Sequence, residues 1–267
     1  MDTTDHTSTT DHTTAPMPVL FIGHGSPMNA VQDNPFSRSL VWLGQQMPRP
    51  RAILCVSAHW QTPGVRVTGE AQPRTIHDFA GFPRQLYEVE YAAPGDPLLA
   101  REVAGLVGGA VDTSWGFDHG AWSVIRHMYP DADVPMIELS LDEEMSPPEH
   151  HAIGALLAPL RDQGVLIVGS GNLVHNPYEV RWEDGAQPYP WAVEFDEWAR
   201  DRLLAGDDDA LVGYESLGAV AREAHPTNEH YLPLLYAIAL RRAGEPLSFF
   251  YEGVEMGSLS MRGVRIG

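Results

Sequence analysis

Short apolar runs rich in β-branched residues recur along this chain, and between them lie longer stretches whose apolar positions repeat every three or four residues. Strands and helices taking turns in this way point to an α/β fold, with helices packed on the faces of a sheet. Strands are predicted over 18–22, 52–56, 65–68, 134–139, 165–168 and 247–251, and helices over 36–46, 96–107, 120–129, 148–161, 191–204 and 228–242. The last helix takes Thr227 as its N-cap and lines up Tyr231, Leu234, Leu235 and Ile238 in one stripe. The expected architecture is one α/β domain with a central, mostly parallel or mixed sheet flanked by helices. Two stretches, 69–94 and 206–226, are longer than ordinary connections and are candidates for lids or binding walls.

A chain of 267 residues accommodates one large domain, placed here at 17–267. Residues 1–16 repeat the polar string TTDHT and offer too little apolar surface to offset the entropy of ordering, so a disordered tail is expected there. His6 and His12 lie in that tail and lack a fixed geometry for binding metal. Every basic residue is Arg, and 36 acidic residues against 17 basic ones give a net charge of −19. Such a surface repels nucleic acid and anionic membranes, so neither is an expected partner. Cys55, the single cysteine, sits in an apolar run and reads as a small buried hydrophobe. No run approaches the roughly 18 apolar residues of a membrane span, and the start lacks the pattern of a signal peptide, so a cytoplasmic protein is expected.

The chemistry gathers where strands end. The first strand runs into Gly23-His24-Gly25-Ser26-Pro27, the second into Ser57-Ala58-His59-Trp60, and the fifth into Gly171-Asn172-Leu173-Val174-His175-Asn176. Ligands in open α/β sheets sit beyond the carboxyl ends of the strands, so these three His can converge on a first-row metal. One His after a strand is an ordinary loop residue; three in equivalent places favour a site. Glu229 and His230 lie in the predicted first turn of the last helix. Adjacent helix positions point about 100° apart, so one of the two faces the site. His230, beside the apolar stripe, is favoured, and Glu229 fits the two-His, one-carboxylate rule by residue type. His119, just before a predicted helix, and His77, in the first long loop, are candidate proton carriers or structural loop residues. His127, His150, His151 and His225 have no supporting context. A phosphate loop, a dinucleotide fingerprint and a nucleophile elbow are all absent from the sequence.

Taken together, Gly23-His24-Gly25-Ser26-Pro27-Met28-Asn29, Ser57-Ala58-His59-Trp60, Thr75-Ile76-His77-Asp78-Phe79, Trp115-Gly116-Phe117-Asp118-His119-Gly120, Gly171-Asn172-Leu173-Val174-His175-Asn176 and Glu229-His230-Tyr231-Leu232-Pro233 resemble the extradiol dioxygenases of the class III, LigB-type superfamily, in particular its DOPA 4,5-dioxygenase-like branch. The likeness runs from about residue 18 to the segment Glu255-Met256-Gly257-Ser258-Leu259-Ser260-Met261. It implies a mononuclear metal site, with iron(II) for catalysis and zinc(II) as an alternative bound metal. It also implies a small catechol and O₂ as reactants. His24, His59 and His230 match metal-ligand positions, His175 matches a position read as fourth ligand or as acid/base, and His119 matches a second pocket His. A third ligand of His departs from the branch that uses Glu, and an all-His set also suits zinc. A zinc hydrolase using the same His cluster is the alternative reading. A monomer or a small homo-oligomer is compatible with all of this.

Overall fold

The computed structural model describes residues 15–183 and 185–267; the predicted tail falls almost wholly outside them. One eight-stranded mixed sheet organises the molecule. Its strands are β1 (Val19–Gly23), β2 (Ala52–Thr62), β3 (Arg66–Thr68), β4 (Ala110–Asp112), β5 (Met136–Asp142), β6 (Val165–Gly171), β7 (Leu247–Tyr251) and β10 (Gly263–Ile266), in the order β4-β3-β5-β2-β6-β1-β10-β7. The central strands β5, β2, β6 and β1 run parallel, while β3 and β10 flank them antiparallel. Two short strands, β8 (Val254–Glu255) and β9 (Leu259–Ser260), pair separately.

The central strands are apolar throughout because both faces are covered. Val19, Phe21, Leu54, Val56, Val165 and Ile167 point to one side, and Leu20, Ile22, Ile53, Cys55, Leu166 and Val168 to the other. Helices α1 (Pro35–Gln46), α2 (Arg84–Tyr87) and α4 (His119–Met128) pack on the second side. Helices α3 (Pro97–Val107), α5 (Pro147–Leu156), α6 (Ala158–Asp162), α7 (Pro190–Ala205), α8 (Asp208–Val212), α9 (Ala219–Ala224) and α10 (Leu232–Ile238) serve the first. The chain therefore leaves β1 toward one face and β6 toward the other, which opens a crevice between neighbouring strands at their carboxyl ends.

Prolines account for two differences from the sequence reading. The predicted helix 148–161 is divided between α5 and α6, where Pro159 cannot supply an interior N–H. The predicted helix 228–242 begins at Leu232, because Pro233 is accommodated only in a first turn, and it ends at Ile238. His230 consequently lies in the turn before α10 rather than inside it. The second strand continues through His59 to Thr62 instead of ending at Val56. The short strands β4, β8, β9 and β10 were not anticipated.

Gly171, at the end of β6, touches the backbone of this turn: a Cβ there would collide with the carbonyl oxygen of His230, which accepts the Asn172 N–H at 2.8 Å. Gly171→Ala is expected to cost about 1–3 kcal/mol of stability through overpacking. It should also displace His230, so a lowered melting temperature accompanied by reduced metal retention is the expected result.

His225, at the end of α9, is buried among Phe195, Tyr214 and Tyr231, with Nε2 2.7 Å from the Leu173 carbonyl oxygen. Burial lowers its pKa to about 4, so the fold holds it neutral. The unfolded chain takes up a proton near pH 6.5, which the native state refuses until about pH 4; stability from this residue is whole above 6.5 and drains away as pH falls through that window. The loss amounts to about 3 kcal/mol. Denaturant titrations at pH 8 and pH 4.5 should show a shallower pH dependence in His225→Gln than in the parent chain.

Candidate metal centre

Three parallel strands carry their His to one end of the sheet. The N–H of His24 donates to the Gly171 carbonyl at 3.0 Å, extending the β1–β6 pairing one residue past the strand. Gly25 follows with φ of +58°, and a Cβ there would also strike the Met261 thioether, so glycine is required on both counts. His59 reaches the same end by a bulge. Between the pairs Val56–Leu139 and Gln61–Leu141, β2 carries the four residues Ser57 to Trp60 where β5 carries one. His230 arrives from the opposite side, on the turn that rests against Gly171.

The structure brings together His24, His59 and His230, whose nearest ring nitrogens all lie within 4.8 Å of one another. Each has its Nδ1 beside a polar oxygen. The Ser170 hydroxyl donates to the Gly120 carbonyl at 2.6 Å, so at 3.0 Å it accepts the Nδ1–H of His24. Nδ1 of His230 is 2.9 Å from Glu229 Oε1, and Nδ1 of His59 is 3.4 Å from Asp78 Oδ2. A proton on each Nδ1 leaves each Nε2 as a lone pair. The Nε2 atoms of His24 and His59 nevertheless face each other at 3.1 Å, and Nε2 of His230 is buried without a partner. Lone pairs gathered in this way fit a shared cation. Burial, followed by the neighbouring imidazoles, holds the pKa of His24 and His230 well below the ordinary value; burial and then His119 do the same for His59, against the opposing pull of Asp78.

His175 does not point into that triangle. Its ring stacks on His230, with 3.4 Å between centroids and planes 6° apart, and it forms a separate group with Glu229 and His230. His119 begins α4 behind the N-cap Asp118, with its ring centroid 3.9 Å from that of His59. Asp78 receives the His119 N–H at Oδ1 (2.9 Å), and its Oδ2 lies 2.9 Å from Nδ1 of the same residue, off the line of a hydrogen bond. His77 takes the structural role: Nε2 is 3.1 Å from the Val89 carbonyl, and its ring packs on Phe79 and Trp122.

Several contributors escaped the sequence reading. Asp78 serves two imidazoles and sits directly after His77, which drew the attention instead. Ser170 and Ser57 carry no pattern that marks them. Glu138 does carry one, a carboxyl in the apolar run of β5. It is wholly buried, its Oε1 accepts the Asp118 N–H, and burial followed by the Asp118 charge pushes its pKa well above the ordinary range, so it holds a proton. Asp118 in turn accepts the Ser57 hydroxyl at 2.7 Å, bracing the bulge under His59.

The imidazoles open on a cleft of about 140 Å³, walled by Phe82, Pro177, Val180, Trp182 and Leu259. It offers three imidazoles able to hold a metal, an apolar slot for one flat ring, and two further His beside them.

Residues 9–252 match the family model described as the catalytic LigB subunit of aromatic ring-opening dioxygenase. The chain belongs to the LigB family. It is 48% identical over 94% of its length to a 4,5-DOPA dioxygenase extradiol of Escherichia coli K12, of which it covers 95%, and 38% identical over 85% to one of Beta vulgaris, of which it covers 87%. A crystal structure of an uncharacterized protein from Escherichia coli K12 superposes with a TM-score of 0.83 at 43% identity, covering 94% of this chain and 100% of that one. This LigB chain is thus an extradiol aromatic ring-cleavage dioxygenase of the DOPA dioxygenase-like type, and the non-haem metal of its family has a His triad to receive it. Among the described residues, no helix is long and apolar enough to cross a membrane.

Because Glu229 reaches His230 from outside the triangle, Glu229→Gln is expected to weaken metal affinity about 10–100-fold, as losses of such supporting partners do. His230→Ala should abolish stoichiometric retention. Metal content after dialysis distinguishes them, and undiminished metal in His230→Ala would remove that residue from the centre.

Proposed function

We propose that the protein opens the ring of a substituted catechol, L-DOPA or a close relative, at one iron(II) held by His24, His59 and His230. The observation that carries this reading is the set of three imidazoles with a polar oxygen beside each Nδ1 and ring nitrogens gathered within 4.8 Å of one another. When bound, iron supplies a redox-active centre at which the diol and O₂ meet, a part that redox-inert zinc does not fill. Both atoms of O₂ end in the product, and the ring carbon–carbon bond beside the diol is the one broken. Glu229 adds its negative charge through the His230 ring rather than by direct ligation, which keeps a carboxylate in the set one step removed.

Proton handling falls to His175 and His119, both of which line the cleft. Burial, then repulsion from His225 and His119, lowers the His175 pKa to about 3, so its ring is neutral at physiological pH and would take a proton only from a phenol that a bound metal has already acidified. Stacking on His230 fixes the plane of that ring. Asp78 lies beside Nδ1 of His119, whose ring lines the cleft. The apolar wall formed by Phe82, Val180 and Leu259 seats the ring and excludes water.

Protein loaded anaerobically with iron(II) should consume O₂ and form a yellow ring-opened product from L-DOPA or a simple catechol, while zinc-loaded protein stays silent. Silence with both metals after verified loading would shift the assignment to the zinc hydrolase.

A further inference from the structure

The cleft above the His triad has room for little more than the catechol ring, so whatever the ring carries must leave through its mouth. There a wider vestibule of about 840 Å³ begins, sharing Ser26, Phe82, Trp182 and Met256 with the cleft as common walls. The two spaces differ in chemistry. Imidazoles and apolar side chains line the inner one; among the described residues the outer one carries a single cation, Arg181, and two carboxylates, Glu183 and Glu255.

Arg181 is held in place before any ligand arrives. Its backbone N–H donates to the Met256 carbonyl at 2.8 Å, its Nη1 donates to the Gln187 carbonyl at 2.9 Å, and its guanidinium carbon lies 3.9 Å over the Tyr189 ring. A stacked guanidinium keeps further N–H groups for a carboxylate and loses little freedom in binding one. Glu255 precedes Met256, whose φ of +51° is a conformation that a non-glycine residue holds at a cost and that gathers at binding sites. This turn sets Glu255 in the vestibule while Met256 walls both spaces. Burial raises the Glu255 pKa, and a cation brought beside it would lower it again.

Charge then selects the tail. A catechol with only a carboxylate gains Arg181 but meets two Glu; one with only an ammonium gains the two Glu but meets Arg181 and leaves it without an anion. A tail bearing both groups satisfies both sides. Resting on the catechol reading above, we propose that Arg181 and Glu255 determine specificity by binding a zwitterionic α-amino-acid tail, the guanidinium taking the α-carboxylate and Glu255 the α-ammonium.

The test uses calorimetry on zinc-loaded protein, which turns nothing over, with L-DOPA, dopamine, 3,4-dihydroxyphenylpropionate and 4-methylcatechol. The parent chain should bind L-DOPA at least about tenfold more tightly than the other three, in line with the strength of charge-assisted contacts. Arg181→Gln should bring L-DOPA to the level of dopamine, and Glu255→Gln should bring it to the level of the propionate, with 4-methylcatechol unchanged in both. Equal affinity for all four in the parent chain overturns the proposal, as does an equal loss for all four in the variants, the result a merely structural role would give. O₂ uptake by iron-loaded protein reports on the ring-opening reading separately: turnover without tail preference overturns the specificity pair alone, whereas tail preference in binding without turnover overturns the reaction and leaves the pair.

Discussion

Lone pairs do not gather in a protein interior without something to hold them, and the fold here spends much of its architecture on bringing three of them to one point. His24 stands one residue beyond β1, His59 on the bulge of β2, and His230 on the turn that Gly171 supports. Burial opposes a proton on any of them, so protonation is a poor substitute for a metal cation as the charge that relieves their mutual repulsion. Without such a cation the cluster costs stability; with one, the same desolvation strengthens the attraction.

Behind the imidazoles, the choice of partner differs from ring to ring. His24 leans on a neutral hydroxyl that is itself committed to a carbonyl, whereas His59 and His230 lean on carboxylates. The negative charges of Asp78 and Glu229 therefore stand close to where a divalent cation would sit, one on each flank. Deeper still, Glu138 keeps its proton beside Asp118, so this buried acid pair carries less charge than its composition suggests. The centre is thus neutral-to-anionic in graded layers, a pattern suited to a dication whose ligands carry no charge of their own.

The fold class, both helical layers and the strand-end placement of His24 and His175 could be read from apolar periodicity, because strands covered on two faces leave long apolar runs. The last helix could not be placed so easily: its stripe suggested a start at Asn228, while the steric demand of Pro233 moved it to Leu232 and freed His230 to sit on a turn. His24, His59 and His230 were legible as residue types after strands or beside a stripe. Their supports were not, since Asp78, Ser170 and Ser57 act through contacts between segments far apart in sequence, which no local pattern records. His175 was visible, but its stacking on His230 is a property of three-dimensional packing alone.

The bulge in β2 also decides how the strand reads beyond it. Up to Ser57, β2 stays in register with β6, yet on its other edge four residues stand opposite one, an excess of odd number. Side chains after His59 therefore look to the opposite face from the one that simple alternation would give them: Gln61 emerges beside Tyr214 and His225 instead of on the α4 side. Loss or gain of a single residue between Ser57 and Trp60 would undo that reversal for the rest of the strand, so the length of the bulge is as constrained as the identity of the His59 it carries.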